Sequence, residues 1–400
     1  MRRSNFRKVW AVATSAQFGY WFSSIAFQWI VAQATGNSAI VLGFLYFVML
    51  LPILLLSIPA GVLADRFDRR RIVIVCQSAI VVISLTTAAL IHWGPPPLPA
   101  LLLCGFAVGT AHSVATPAYT SLVANSVPSR DLPSAVPLQA IGMNLARILG
   151  PMLAGAIIFF GGEAASLLVY GLFGLLGLIV ILRVPNGQLS RVAPPPDSMR
   201  GHIRDGFSHA RRHPPAGVAL AIVAVCSLFA ASYLAQLPVL AANSTEAQGA
   251  FVFLTSAGGV GSLIGVLLVA TRASSNPSVT PAAVMLLVMA VVVAMLGYGP
   301  PIGWEMALVG TAGGLQFAIM TTCNRVIQQV VYDTHRGRVM SLYAITWGGL
   351  LPIGGLWLGL LIATAGIAIA FTVNGLIVGV FALWVLRPTQ RRVGITAYGR

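Results

Sequence analysis

Gly61-Val62-Leu63-Ala64-Asp65-Arg66-Phe67-Asp68-Arg69-Arg70-Arg71 packs four arginines and two aspartates between two apolar runs with almost no linker. The runs on either side, 38–64 and 72–91, are each long enough to cross roughly 30 Å of hydrocarbon as a helix. Charged side chains in such a place belong at a water interface, so the stretch reads as a tight turn between two membrane spans.

Composition extends that reading to the whole chain. Hydrophobic residues make up 57% of the 400 residues and charged residues 8%, the inverse of what a solvated surface requires. Hydropathy predicts twelve spans, near 9–34, 38–64, 72–92, 98–124, 135–160, 164–184, 216–242, 249–271, 279–298, 304–330, 339–364 and 366–387. The first is read as a retained helix rather than a signal peptide, because its apolar run is too long and ends without an A-x-A site. The net charge of +15 raises the question of nucleic acid, which requires a continuous basic face. Here all but two of the 24 Lys and Arg residues lie in the termini or in alternate loops, and the exceptions are Arg147 and Arg325. That asymmetry predicts a multi-pass inner-membrane protein with both termini cytoplasmic, and it excludes a nucleic-acid partner. Cys76, Cys104, Cys226 and Cys323 are scattered singly, without metal-ligand spacing, so they read as small buried hydrophobes; no metal and no cofactor is expected.

The longest polar stretch, around 185–215, divides the spans six and six. It predicts an N-terminal half at 1–185, a cytoplasmic linker at 186–215 and a C-terminal half at 216–400. Within the linker, Ile203 and Phe207 share one side of a basic segment, read either as a surface-lying amphipathic helix or as a solvated connection. The halves share a register. Val108-Gly109-Thr110-Ala111 recurs as Val309-Gly310-Thr311-Ala312, Pro151 matches Pro352, and Gly61-Val62-Leu63 recurs as Gly265-Val266-Leu267. A parallel duplication of this kind places a central site between its halves.

At residues 61–71 the chain resembles the major facilitator superfamily, whose signature after the second helix is G-x-L-A-D-R-x-G-R-R. The resemblance covers the full length and implies an all-α membrane protein of twelve transmembrane helices in two six-helix pseudo-symmetric halves. It implies a conformational gate at Gly61, Asp65, Arg66, Arg69 and Arg70. Gly61 would allow close helix packing, Asp65 would face a helix N-terminus, and the arginines would pair with carboxylates such as Asp131 or Asp333. Asp68 stands where the family has Gly, and Asp is among the few substitutes tolerated in a left-handed backbone. In the fifth span, Ala146-Arg147-Ile148-Leu149-Gly150-Pro151-Met152-Leu153-Ala154-Gly155 is similar to the superfamily's exporter motif, G-x-x-x-G-P-x-x-G-G. There Arg147, Gly150, Pro151 and Gly155 imply efflux. Pro133-Ser134-Ala135-Val136, Asn144-Leu145-Ala146-Arg147 and Arg336-Gly337-Arg338-Val339-Met340-Ser341 look like the branch of siderophore and macrolide exporters.

Polar residues inside apolar spans mark a candidate transport pathway. Gln17, Trp21, Ser24 and Gln28 share one helical face, and His112, Thr116 and Tyr119 repeat the spacing, as do Tyr343 and Trp347. For each, a lining role stands beside a plain interhelical hydrogen bond. Arg147, with Asn144 one turn away, lies about 18 Å along its helix from Ala135. A bare charge at such depth costs at least about 2.5–3.5 kcal/mol, so a partner is expected: Asn144 or an anionic substrate. Arg325 is close enough to its helix end to snorkel. Glu163 and Glu305 are placed at outer turns, which leaves His112 as the candidate proton carrier. No phosphate-binding loop G-x-x-x-x-G-K-[ST] occurs, so transport is expected to be secondary rather than nucleotide-driven. The expectation is a monomeric, non-enzymatic alternating-access exporter that exchanges a small amphipathic compound for protons. An uptake permease and a non-transporting receptor are the alternatives.

Overall fold

The computed structural model describes all residues except Met1, Pro95, 185–207, 209–212, 272–277 and 388–400, and leaves out some further side chains, among them Asp65, Asp333 and Arg336. The Ile203/Phe207 pair therefore lies outside the described residues.

The described chain is helical and contains no strand. The helices are α1 (Arg2–Ala34), α2 (Ala39–Arg66), α3 (Arg69–His92), α4 (Leu98–Asn125), α5 (Leu132–Leu182), α6 (Pro214–Val225), α7 (Leu237–Ala241), α8 (Ala247–Thr271), α9 (Thr280–Leu296), α10 (Ile302–Val330), α11 (Asp333–Ala365) and α12 (Ile367–Leu386). A lipid-spanning backbone must satisfy its own hydrogen bonds, and helices do so within one segment. Among the described residues, nine helices are long and apolar enough to cross a membrane by length and composition. Their outward faces carry large apolar side chains such as Leu55, Val75, Val82, Leu103, Phe160 and Val380, all more than half exposed. Water would penalise such faces, and hydrocarbon accepts them.

Two irregularities shape the helices. At Gly162 the backbone adopts φ 78° and ψ 174°, which a side chain would resist, and this breaks α5 into 132–161 and 163–182. The break falls where hydropathy separates the fifth span from the sixth. Beyond α6 the chain passes through a π turn (Cys226–Ala230) and a 3-10 segment (Ala231–Gln236) before α7, where hydropathy predicts one continuous span. Asn374 of α12, fully buried, holds this irregular segment: its amide donates to Phe229 O and to Ser232 Oγ, both at 3.0 Å, and its carbonyl accepts from Trp357 Nε1 at 3.1 Å.

The chain forms two compact units, one of Met1–Asn37 with Val48–Pro196 and the other of Ser38–Phe47 with Asp197–Arg400. The start of α2 thus joins the later unit, for reasons of fit. Gly359 approaches Ala39 O, Gly43 approaches Gly355 O, and Gln236 Nε2 donates to Ala39 O at 3.1 Å. In the first unit, Val12, Val73, Cys76, Ala118, Leu122 and Ile181 belong to a core shared by α1, α3, α4 and α5.

Candidate functional site

The loop at 61–71 is built on helix ends. Asp68 caps α3, its carboxylate accepting from Arg70 N at 2.9 Å, with φ −61° and ψ 110°. Its backbone is therefore extended, not left-handed, and Asp is suited to the position because it caps. Arg69 is buried and donates from Nε to Ala64 O at 2.8 Å, at the end of α2. Arg70 donates to Ile181 O at 3.0 Å and Leu182 O at 2.8 Å, at the end of α5. Both guanidinium groups thus meet the negative ends of helix dipoles. Asp131 lies 3.7 Å from its neighbour Arg130, and exposed Arg71 lies 3.9 Å from Asp68. Arg66 is exposed, and the side chains of Asp65 and Asp333 fall outside the described residues. A Cβ built on Gly61 meets nothing within 4 Å among the described residues.

Deeper in the first unit, α1 packs against α5 through small residues one turn apart. Gly142, Ala146, Gly150 and Ala154 recur every fourth residue on α5. A Cβ on Gly142 would lie 2.6 Å from Thr14 Oγ1, and one on Gly150 would lie 2.7 Å from Trp21 Cβ. Ala146 and Ala154 are fully buried. The stretch around Gly150, Pro151 and Gly155 is therefore a contact surface for α1, with Gly150 seated on Trp21. Gly142 extends it by a turn; the four-residue period of small residues carried that signal.

The stretch also sets the position of Arg147, which is half-buried one turn before Gly150. Its guanidinium is within Coulombic reach of Tyr20 and of His112. Those two rings stack, with centroids 3.9 Å apart and an interplanar angle of 17°. Arg147, Tyr20 and His112 thus gather from α5, α1 and α4, although only two of the three are prominent in the sequence. Tyr20 sits beside Trp21, which it meets edge-on at 5.9 Å, and it flanks the Gln17-Trp21-Ser24-Gln28 stripe, three residues after Gln17 and four before Ser24. Asn144, one of the two partners expected for Arg147 beside an anionic substrate, is exposed.

The remaining candidates are placed as follows. Gln17, Ser24 and Gln28 are buried and Trp21 is half-buried. Thr116 donates back to His112 O at 2.7 Å, and the hydroxyl of buried Tyr119 has no hydrogen-bond partner among the described residues. In the later unit Tyr343 is half-buried and donates to Met320 O at 3.1 Å, and Trp347 is half-buried. Glu305 lies in the first turn of α10 beside Trp304, which is 69% exposed, but is itself 2% exposed, with one carboxylate oxygen lacking a partner among the described residues. Neighbours in a helix point about 100° apart, so an interfacial Trp says little about the residue after it. Among the described residues, no three His, Cys, Asp or Glu side chains gather to hold a metal ion.

Known proteins resemble this architecture and sequence. The chain matches the family described as transmembrane secretion effector, MFS_3, over residues 1–393. It is 26% identical over 347 residues to the enterobactin exporter EntS of Escherichia coli, covering 83% of this chain and 80% of that one. It is 28% identical over 141 residues to the staphyloferrin A transporter of Staphylococcus aureus, covering 35% of each. The solved nucleoside transporter NupG superposes with a TM-score of 0.74 at 14% identity, covering 95% of this chain and 98% of that one. A bacterial homologue of the lysosomal transporter Spinster gives 0.67 at 15% identity, covering 98% and 97%. At these identities the solved structures speak to the fold alone, while the family match spans nearly every residue. The chain belongs to the transmembrane secretion effector family of the major facilitator superfamily and is a multi-pass membrane transporter.

Proposed function

We propose that the protein is a proton-coupled exporter that moves a small amphipathic compound, drug-like or siderophore-like, out across the inner membrane by alternating access, as a monomer. The observation that carries this reading is Arg147, a cation in the body of α5 beside the stacked Tyr20 and His112. A cation within Coulombic reach of stacked aromatic rings suits an amphipathic ligand with an anionic or π-rich group. His112 is the titratable partner for a proton, and its nearness to Arg147 ties the proton's site to the substrate's charge. The names of the E. coli and S. aureus relatives support a siderophore-like cargo, and the former supports efflux.

The reading includes twelve crossings with both termini in the cytoplasm. In support, dividing the long α5 at Gly162 adds one span to the nine, and α1 and the 17-residue α9 bring the total to twelve. An even number places both ends on one side, and the basic residues put that side in the cytoplasm. The loop at 61–71 then acts as the gate, with Asp65, Arg66, Arg69 and Arg70 biasing one conformer over another.

The test is flux in proteoliposomes under an imposed pH gradient, across a panel of catecholate and carboxylate siderophores and amphipathic drugs. Export against a substrate gradient, driven by inward protons, is the expected result. Accumulation in the opposite sense would make the protein an uptake permease, and indifference to the gradient would end the antiport reading.

A further inference from the structure

A groove of about 1420 Å³ lies wholly within the later unit, among α8, α9 and α10. Its floor is nearly bare backbone. Gly261 and Gly265 of α8 face Gly310 and Gly314 of α10 so closely that a Cβ on either α8 glycine would overlap the opposing carbonyl. Small residues at four-residue spacing allow this approach, and they leave a furrow where side chains would otherwise stand. The walls are aliphatic: Val260, Ile264 and Leu268 from α8, and Val284 and Met285 from α9. Val260, Ile264, Leu268 and Val284 are about half exposed.

Polarity is confined largely to one end. Ser278 and Thr280 lie at the start of α9, and Thr322, Arg325 and Gln329 lie toward the end of α10; all five line the groove. The opposite end is closed by Phe253, Met306 and Ala307. Ser256 and Thr311 are the other polar residues of the lining, and the Thr311 hydroxyl donates to Ala307 O of its own helix. A cavity with a cation and most of its hydroxyls at one end and a mainly aliphatic remainder matches an amphiphile with an anionic head. The dimensions agree. Arg325 and Gly314 are eleven residues apart, about 16 Å of helix, close to the roughly 15 Å that one leaflet contributes to the hydrocarbon core. An acyl chain anchored by its headgroup at Arg325 would end over the glycine floor. A guanidinium is also the side chain whose geometry suits a phosphate, through two parallel N–H···O bonds.

We propose that this groove is a binding site for one anionic phospholipid of the cytoplasmic leaflet, its phosphate at Arg325 and an acyl chain along the furrow between α8 and α10. Anionic lipids are concentrated in that leaflet, and basic pockets between helices on that side retain their headgroups. The choice of leaflet rests on the orientation proposed above; the site itself does not.

Native mass spectrometry of the full-length protein in detergent tests the site without flux, a proton gradient or orientation, so it can fail while the exporter reading stands. Phosphatidylglycerol and phosphatidylethanolamine with identical chains are titrated in turn. Wild type is expected to retain one phosphatidylglycerol about fivefold more tightly, the factor that corresponds to about 1 kcal/mol of headgroup attraction per arginine. Arg325→Gln should erase that preference, and Arg325→Lys should keep part of it. Val284→Trp, which fills the furrow and leaves Arg325 in place, should weaken retention of both lipids; it also serves as the test if Arg325→Gln fails to fold. Undiminished preference in Arg325→Gln, unchanged retention in Val284→Trp, or displacement of the lipid by inorganic phosphate alone would each overturn the proposal.

Discussion

The tetrapeptide Val-Gly-Thr-Ala occurs at 108–111 on α4 and again at 309–312 on α10, and the two copies keep the same local roles. Both valines and both alanines are buried. Thr110 donates back to Phe106 O at 2.8 Å and Thr311 to Ala307 O at 2.7 Å. Each glycine faces a neighbouring helix: Gly109 meets Met49 O of α2, and Gly310 meets Ala257 O of α8. The copies diverge one residue later. After the first comes His112, stacked on Tyr20 and near Arg147; after the second comes Gly313, closed down on Gly258 O and Ser262 Oγ. One crossing therefore carries a titratable ring into the interior, and its counterpart spends the same position on tighter packing beside an apolar furrow. Shared small-residue contacts supply the scaffold in both units, and at this position only the first adds a polar group.

The largest effect should come from removing the charge in the first unit. Arg147→Ala is expected to lower flux on the order of a hundredfold, the equivalent of up to about 3 kcal/mol for contacts made by a charged group, with protein still folded in the membrane. Normal flux in that variant would remove Arg147 from the substrate's path. Next is a contrast between the glycines. Gly109→Ala forces a Cβ onto the Met49 carbonyl and should cost about 1–3 kcal/mol, while Gly310→Ala, whose Cβ would lie 3.2 Å from Ala257 O, should cost less than about 1 kcal/mol. Thermal unfolding in detergent reads both, and equal losses would break the asymmetry. Asp68→Ala removes the cap of α3 and should cost about 1 kcal/mol, with Asp68→Asn close to wild type. Smallest of all, Thr110→Val and Thr311→Val should each shift stability by less than about 0.5 kcal/mol, because each hydroxyl bonds only its own helix. A large effect at one alone would show that the copies differ before residue 112.

Much of this molecule is legible in its sequence, and the parts that are not share a cause. Spans follow from runs of apolar residues, and even the break at Gly162 is marked by the polar turn around Glu163. The repeat is visible because its register is kept at particular residues, among them Gly109 and Gly310. The irregular stretch 226–236 is not visible, since Cys226 to Gln236 contains no Gly or Pro and its unwinding is held from a distance by Asn374. Nor is the attachment of 38–47 to the later unit, which depends on Gln236, Gly355 and Gly359, some two hundred residues or more away. In the candidate site, Arg147 and His112 stand out as polar groups in apolar helices. Tyr20 does not, because an aromatic residue in such a helix is unremarkable until its stacking partner is known. The superfamily signature is recognisable at 61–71, yet only the fold shows Arg69 and Arg70 on the carbonyls of helix ends.

The central claim, that the polar chemistry of the first unit couples protons to transport, is tested most directly by His112→Gln in proteoliposomes under an imposed pH gradient. Wild type should drive substrate uphill, while the variant should equilibrate substrate downhill without responding to the gradient. Uphill transport by His112→Gln at the wild-type rate would contradict the account.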